Sequence, residues 1–262
     1  MGEQSRVKKR HNEILQLLDK QNTVTLASLC AATGCSETTI RNDLTALERQ
    51  GLLRRTFGGA VQTDSSQQNY LDINIREKAH ASEKNAIAKY IVDQILKPNM
   101  TVVLDAGTSC VALAQEIARQ RIPIAVMTNS FRAAVALSPA LDIIELYMFG
   151  GNYDPVRGNL YDEYQTQIFQ KLRADVFFMG VDAIDKDLGI TIRGFVESSV
   201  KRSMISMAAK TYVLADHSKF GRNAMKYVCK ATEVEGIITD KQTDPKMISH
   251  LQEQGIKVHI AG

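Results

Sequence analysis

The chain has 262 residues, of which 44% are hydrophobic and 23% charged, with 32 Lys and Arg against 29 Asp and Glu. That is enough apolar material for one large core or a small and a medium one. No run approaches the roughly eighteen apolar residues of a membrane span, the start MGEQSRVKKR lacks the apolar centre of a signal peptide, and the cysteines at 30, 35, 110 and 229 form no CxxC pair and have no histidines at zinc spacing. The expectation is a cytoplasmic chain without membrane contact, disulfide, metal or cofactor. Residues 1–60 carry nine cationic against six acidic side chains and the remainder twenty-three of each, so the whole excess of +3 sits on the N-terminal segment.

In chain order, Arg6 to Lys20 reads as a helix with Ile14, Leu15 and Leu18 on one side, and Thr25 to Thr33 as a second with Leu26 and Leu29. A Gly34-Cys35 turn follows. Ser36 is suited to cap a third helix and Gly51 to stop it. Within that helix Ile40, Leu44 and Leu47 form an apolar stripe, which turns Thr38, Arg41, Asn42, Thr45 and Arg49 outward. Arg reaches guanine, Asn pairs with adenine and Thr contacts phosphate or a thymine methyl, so this face suits a major groove. An ordinary amphipathic helix with a solvated side would look the same in isolation. Leu52 to Val61 then reads as strand, Gly58-Gly59 tip and strand, with Arg54 and Arg55 placed for backbone phosphates. The whole constellation, residues 1–61, is that of a winged helix-turn-helix. Its expected DNA contacts are Ser36, Thr38, Thr39, Arg41, Asn42, Thr45, Arg54, Arg55 and Gly58.

Residues 62–75, opening with the polar run QTDSSQQN, are assigned to a linker, and residues 76–262 to a second domain. Ile87, Ile91 and Ile95 mark a helix within Tyr70 to Leu96. After it, strands at Thr101–Leu104, Ile124–Met127, Ile143–Phe149, Val176–Met179, Tyr212–Leu214 and Gly236–Thr239 alternate with helices at Val111–Arg119, Phe131–Leu137, Tyr164–Leu172 and Ser198–Ala209. Short apolar strands alternating with helices predict an α/β domain around a mostly parallel sheet.

Open sheets of that kind bind ligands beyond the carboxyl ends of their strands, and there this sequence turns polar. Asp105-Ala106-Gly107-Thr108-Ser109-Cys110 runs into a helix whose first N–H groups attract an anion such as phosphate. Alone, such a turn is more often a plain helix cap. Thr128-Asn129-Ser130, Gly150-Gly151, Gly180-Val181-Asp182 and Asp216-His217-Ser218-Lys219-Phe220-Gly221 end other strands, and converging polar loops mean a pocket. Glu197 and Lys201, four apart, are either part of it or a surface ion pair.

Arg10, Ile14, Leu18, Ser36, Thr39-Ile40-Arg41-Asn42-Asp43-Leu44, then Leu-Glu-x-x-Gly and Arg-x-x-Gly-Gly-Ala, resemble the N-terminal signature of the DeoR family of bacterial transcriptional regulators. LDAGTSC, MTNS, FGG, FFMGVDAID, GIT, VESSVKRSM, LADHSKFG and IITD, in that order, resemble the family's sugar-phosphate-sensing domain, whose sheet is similar to that of ribose-5-phosphate isomerase. The resemblance implies a phosphate held by Gly107, Thr108 and Ser109 with Thr128, Asn129, Ser130 and Gly151 nearby. Asp105, Asp182, Glu197, Lys201 and Lys219 would address the sugar. The chain departs from the commonest family pattern at Cys110, Ile192, Gly194 and Ser198. Cys110 reads as a small buried residue rather than a reactive thiol, His217 as a loop histidine, and His11, His80, His250 and His259 as scattered. The resemblance further implies a regulator, expected to repress a carbohydrate or polyol operon, acting on double-stranded operator DNA as a homodimer or homotetramer under a phosphorylated sugar or polyol effector. The alternative is an isomerase or amino-sugar-phosphate deaminase using Glu197 or Asp182 as base. The N-terminal sixty residues and the want of an acid–base pair speak against it, and no catalytic residue is expected.

Overall fold

The computed structural model describes residues 3–21, 23–49, 52–56, 58–61, 73–154, 158–162, 164–185, 187 and 189–262. The QTDSSQQN stretch, the helix-stopping Gly51 and the side chains of Arg49 and Arg54 lie outside what it describes. Contacts divide the chain into two units, Met1–Asp72 and Ile73–Gly262.

In the first unit α1 (Glu3–Gln21) is followed by β1 (Thr23–Thr25), α2 (Leu26–Thr33), α3 (Glu37–Arg49), β2 (Arg54–Thr56) and β3 (Gly59–Val61). Ile14, Leu18, Leu26, Leu29, Ile40, Leu44 and Leu47 close over one another as a buried core, as their spacing requires. The strand β1 has no counterpart in the sequence reading, because three residues are too few to display a period. It pairs antiparallel with β3, Val24 opposite Ala60, so the wing is a three-stranded sheet in the order β1-β3-β2. Gly59 permits this closeness: a Cβ there would stand 2.0 Å from the Val24 carbonyl oxygen. Thr25, expected as the first residue of the second helix, is its cap, its hydroxyl accepting Ser28 N–H at 3.1 Å. Gly34 ends α2 at φ 67.

The second unit opens with α4 (Ile73–Lys78) and α5 (Ala81–Gln94). It therefore starts at Ile73, within the stretch assigned to the linker, and the single helix expected here is two. The chain breaks at His80, which has φ 52, and buried Lys84 secures the break by donating from Nζ to the carbonyls of Arg76 and Ala79 at 2.5 Å each. There follow β4 (Thr101–Leu104), α6 (Thr108–Gln120), β5 (Ala125–Thr128), α7 (Phe131–Leu137), β6 (Glu145–Met148), β7 (Asn152–Asp154), β8 (Asn159–Tyr161), α8 (Gln165–Gln170) and β9 (Ala174–Gly180). Then come β10 (Ala183–Ile184), β11 (Gly189–Ile192), α9 (Phe195–Met207), β12 (Ala208–Leu214), β13 (Lys226–Lys230), β14 (Gly236–Asp240), α10 (Pro245–Glu253) and β15 (Val258–Ala261).

Seven strands form one sheet in the order β15-β14-β12-β9-β4-β5-β6, and every neighbouring pair in it is parallel. Val102, Leu104 and Phe178 enter the core on one face, Val103, Phe177 and Met179 that on the other. Both faces are covered, which is why these strands read as unbroken apolar runs. The chain runs outward from β4 through β5 to β6, then returns to β9 and runs the other way, so the order reverses between β4 and β9. A crevice opens where parallel strands part in this manner. The hairpin β7–β8 and the small antiparallel sheet β10-β11-β13 lie outside the parallel sheet; neither was expected from sequence, nor were α10 and β15.

Candidate functional site

Two surfaces emerge, one in each unit. On α3, Thr38, Arg41 and Asn42 are exposed. Arg41 Nη2 lies 3.1 Å from Glu37 Oε2 one turn back, an exposed pair that leaves the guanidinium on the surface. Ser36 Oγ accepts Thr39 N–H at 3.3 Å and stands 3.0 Å from the Thr39 hydroxyl, which makes this pair a helix cap. Thr45 donates its hydroxyl to the Arg41 carbonyl at 2.8 Å and accepts Arg55 Nη1 at 2.8 Å. Arg55 N–H in turn donates to Glu48 Oε1 at 2.7 Å. The wing strand thus braces the C-terminal half of α3, a link the sequence does not announce. Gly58 is exposed beside the wing tip.

The structure also shows what a polar residue of the N-terminal signature does inside the module. Asp43, 5% exposed, receives Arg10 Nε at 2.5 Å, Arg10 Nη2 at 3.0 Å and a contact from His11 Nε2 at 3.0 Å. Burial alone would raise its carboxyl, but the hydrogen bonds from Arg10 and His11 outweigh that and hold it below the ordinary carboxylate value. His11 is therefore not an isolated histidine. The Arg10-Ile14-Leu18 and Asp43 positions are one constellation, linking α1 to α3.

In the second unit a cavity of about 270 Å³ is walled by Asp105, Asn129, Asp154, Asn159, Tyr161, Gly194, Val196, Glu197, Val200 and Lys201. It stands where the strand order reverses, Asp105 following β4 and Lys201 reaching up from α9. Lys201 is only 4% exposed and Asp105 3%. The ammonium donates to Asp105 Oδ2 and, at 2.8 Å, to the Gly180 carbonyl, while Gly180 N–H donates to the same carboxylate at 2.9 Å. Burial would lower the Lys201 ammonium, yet the carboxylates of Asp105 and Glu197 hold it above its ordinary value. The four-residue spacing of Glu197 and Lys201 is accordingly no surface ion pair. Glu197 Oε1 instead accepts Asn159 Nδ2 at 3.2 Å.

Of the residues expected around an effector, Asp105, Asn129, Glu197 and Lys201 come together in this wall. Gly107, Thr108, Ser109, Thr128, Ser130, Gly151, Asp182 and Lys219 lie outside it. Gly107 precedes α6, and no side chain caps that helix, so its first N–H groups have no intrahelical partner. Thr128 donates to the Leu104 carbonyl at 2.7 Å and accepts Ser130 N–H at 3.0 Å, and Ser130 Oγ caps α7 by accepting Ala133 N–H at 3.1 Å. Asp182 accepts Arg193 N–H at 2.9 Å. Lys219 Nζ stands 3.8 Å from Asp216. His80 and His217 sit edge to face with ring centroids 4.8 Å apart, so His80 too is not an isolated histidine. Cys110 is fully buried, donates to the Phe178 carbonyl at 3.4 Å and has its thiol pushed up by burial, as befits a small core residue.

The hairpin β7–β8 supplies Asp154, Asn159 and Tyr161, which sequence reading missed; Leu160 N–H donates to the Asn129 carbonyl at 2.7 Å and docks it. The side-chain oxygens of Asn129 and Asn159 are buried and accept no hydrogen bond from the described residues.

A winged helix-turn-helix in one unit and a polar cavity at the switch point of a parallel sheet in the other define a ligand-responsive DNA-binding protein. The chain belongs to the DeoR family: residues 10–66 match the DeoR-like helix-turn-helix domain and residues 79–241 the DeoR C-terminal sensor domain. It is a DNA-binding transcriptional regulator. A protein of Escherichia coli O157:H7 named as a candidate repressor of the aga operon is 31% identical, over 97% of this chain and 93% of its own. The transcriptional regulator GolR of Listeria innocua is 30% identical over 96% and 98%, and the glycerol-3-phosphate regulon repressor of Escherichia coli K12 29% over 96% and 98%. A ribose 5-phosphate isomerase from Methanocaldococcus jannaschii overlaps 54% of this chain and 55% of its own, at 18% identity and a TM-score of 0.39. No helix among the described residues is long and apolar enough to cross a membrane.

Proposed function

We propose that the protein is a cytoplasmic repressor of a carbohydrate or polyol operon, released from its operator by a phosphorylated sugar or polyol. Ser36, Thr38, Thr39, Arg41, Asn42 and Thr45 of α3 and its cap, with Arg54, Arg55 and Gly58 of the wing, form the DNA-binding surface. The phosphate binds the uncapped start of α6 at Gly107, Thr108 and Ser109. The hydroxyls meet Asp105, Asn129, Asn159, Glu197 and Lys201. Thr128 and Ser130 hold that loop in shape, and Asp182, Gly151 and Lys219 act at its borders. A homodimer or homotetramer places two such modules on paired half-sites. Relatives that span nearly the whole chain and are named for glycerol-3-phosphate and aga regulation support the effector class.

The observation that carries this reading is the buried Lys201–Asp105 pair in the cavity wall, beside two amide oxygens without donors. Structural cores avoid such groups, whereas a polyol satisfies them. Calorimetric titration with sugar and polyol phosphates tests it. One compound should bind, its unphosphorylated parent should bind far more weakly, and Thr108→Val should abolish binding. Equal affinity for parent and phosphate, or full binding by Thr108→Val, would contradict the phosphate cradle.

A further inference from the structure

Away from the cavity, the break between α4 and α5 meets the loop that follows β12. His80, Asp216 and His217 each bring one donor atom to this point, all within 4.8 Å of one another. The geometry points to a binding site for a zinc-class divalent cation, held by His80, Asp216 and His217 with a fourth coordination position open. Two imidazoles and a carboxylate are the donor set that late first-row ions favour.

Two observations beyond the cluster point to a ligand. Asp216 is wholly buried, yet its Oδ2 accepts no hydrogen bond from the described residues, Oδ1 alone being engaged by Ser218 N–H at 3.0 Å and the Ser218 hydroxyl. A buried carboxylate oxygen without a donor is costly, and a cation relieves it. Second, His217 Nδ1 lies 3.1 and 3.2 Å from the two oxygens of Asp240, itself buried and fixed by His217 N–H at 2.8 Å. A carboxylate behind an imidazole keeps the proton on Nδ1 and leaves the Nε2 lone pair for a metal.

Donors about 2.0–2.1 Å from a tetrahedral ion stand roughly 3.4 Å apart. His80, the exposed member, closes the remaining distance by rotating its side chain. The Lys219 ammonium, 3.8 Å from Asp216 Oδ2, opposes the ion. The cation takes the place of Lys219 on the carboxylate and pins the start of α5 to the end of β12.

The test is titration of the full chain, stripped by chelator, with Zn²⁺ followed by calorimetry and with Co²⁺ followed by its visible spectrum. One ion per chain is expected. His80→Ala, at an exposed position, should weaken binding at least about tenfold while keeping the metal-free unfolding temperature; Asp240→Asn should weaken it by about 10–100-fold. Lys219→Gln should tighten it. Absence of uptake, uptake unchanged in His80→Ala, or saturable binding of inorganic phosphate in place of metal would each overturn the site.

Discussion

Asp43 shows what a single buried charge does in a module this small. It lies one position from exposed Asn42 on α3, yet turns inward to Arg10 and His11 and so sets how α1 meets α3. Asp43→Asn should cost about 1.5–3 kcal/mol, the worth of hydrogen bonds to a charged group. Because its folded value is depressed below 3.8, this contribution is complete above that pH and is lost as pH falls through the lower, folded value. Denaturant unfolding of both proteins should therefore give a gap at neutral pH that closes below 3.8; a gap independent of acid would contradict the pairing. Lys201 and Asp105 make the same case in the second unit. Lys201→Met should cost about 3–5 kcal/mol by stranding a buried carboxylate, and adding Asp105→Asn should recover much of it. Simple additivity of the two changes would show that the pair is not coupled. Neither pairing can be read from sequence, since each joins residues far apart in the chain and nothing local distinguishes a buried Asp from a solvated one.

At the level of elements, the two parts of the DNA-binding module should separate by salt. Arg41→Ala on α3 should cost about 1–3 kcal/mol on operator and less on random duplex, as a base contact does. Arg55→Ala should weaken both and reduce the salt slope by about one. An unchanged slope would leave Arg55 as a brace between wing and helix, the role its bond to Thr45 already gives it. The hairpin β7–β8 offers a different test. Gly151 holds φ +131, and a Cβ there would lie 2.2 Å from the Tyr161 carbonyl oxygen, so Gly151→Ala should cost about 1–3 kcal/mol and open the cavity wall. Unaltered thermal unfolding and effector affinity would show that the hairpin does not form part of the site. Elements with a strong period were legible: Phe131–Leu137 has the same bounds in sequence and structure, and Thr101–Leu104 likewise. Those that failed had physical reasons. β1 is too short to show alternation, the α4–α5 break has no glycine or proline to announce it, and β7 and β8, at three residues each, are likewise too short to show a period.

At the scale of the whole molecule the chain forms two units, and in the second the parallel sheet brings Asp105, Asn129, Glu197 and Lys201 from distant stretches of sequence into one cavity wall. Only four of the twelve expected effector residues share the cavity wall; others are engaged elsewhere, Ser130 as the cap of α7, Thr128 on the Leu104 carbonyl, Asp182 on Arg193 N–H and Lys219 beside Asp216. Coupling between the units requires an effector that binds the DNA-weak state more tightly, by about 5.5 kcal/mol for a near-complete switch. The direct measurement is fluorescence anisotropy of the protein on duplex DNA from upstream of its own operon and on a random duplex, with sugar and polyol phosphates added singly. Sequence-preferring binding released by one phosphorylated compound is the expected result; specific binding that none of them moves would contradict the effector-controlled repressor.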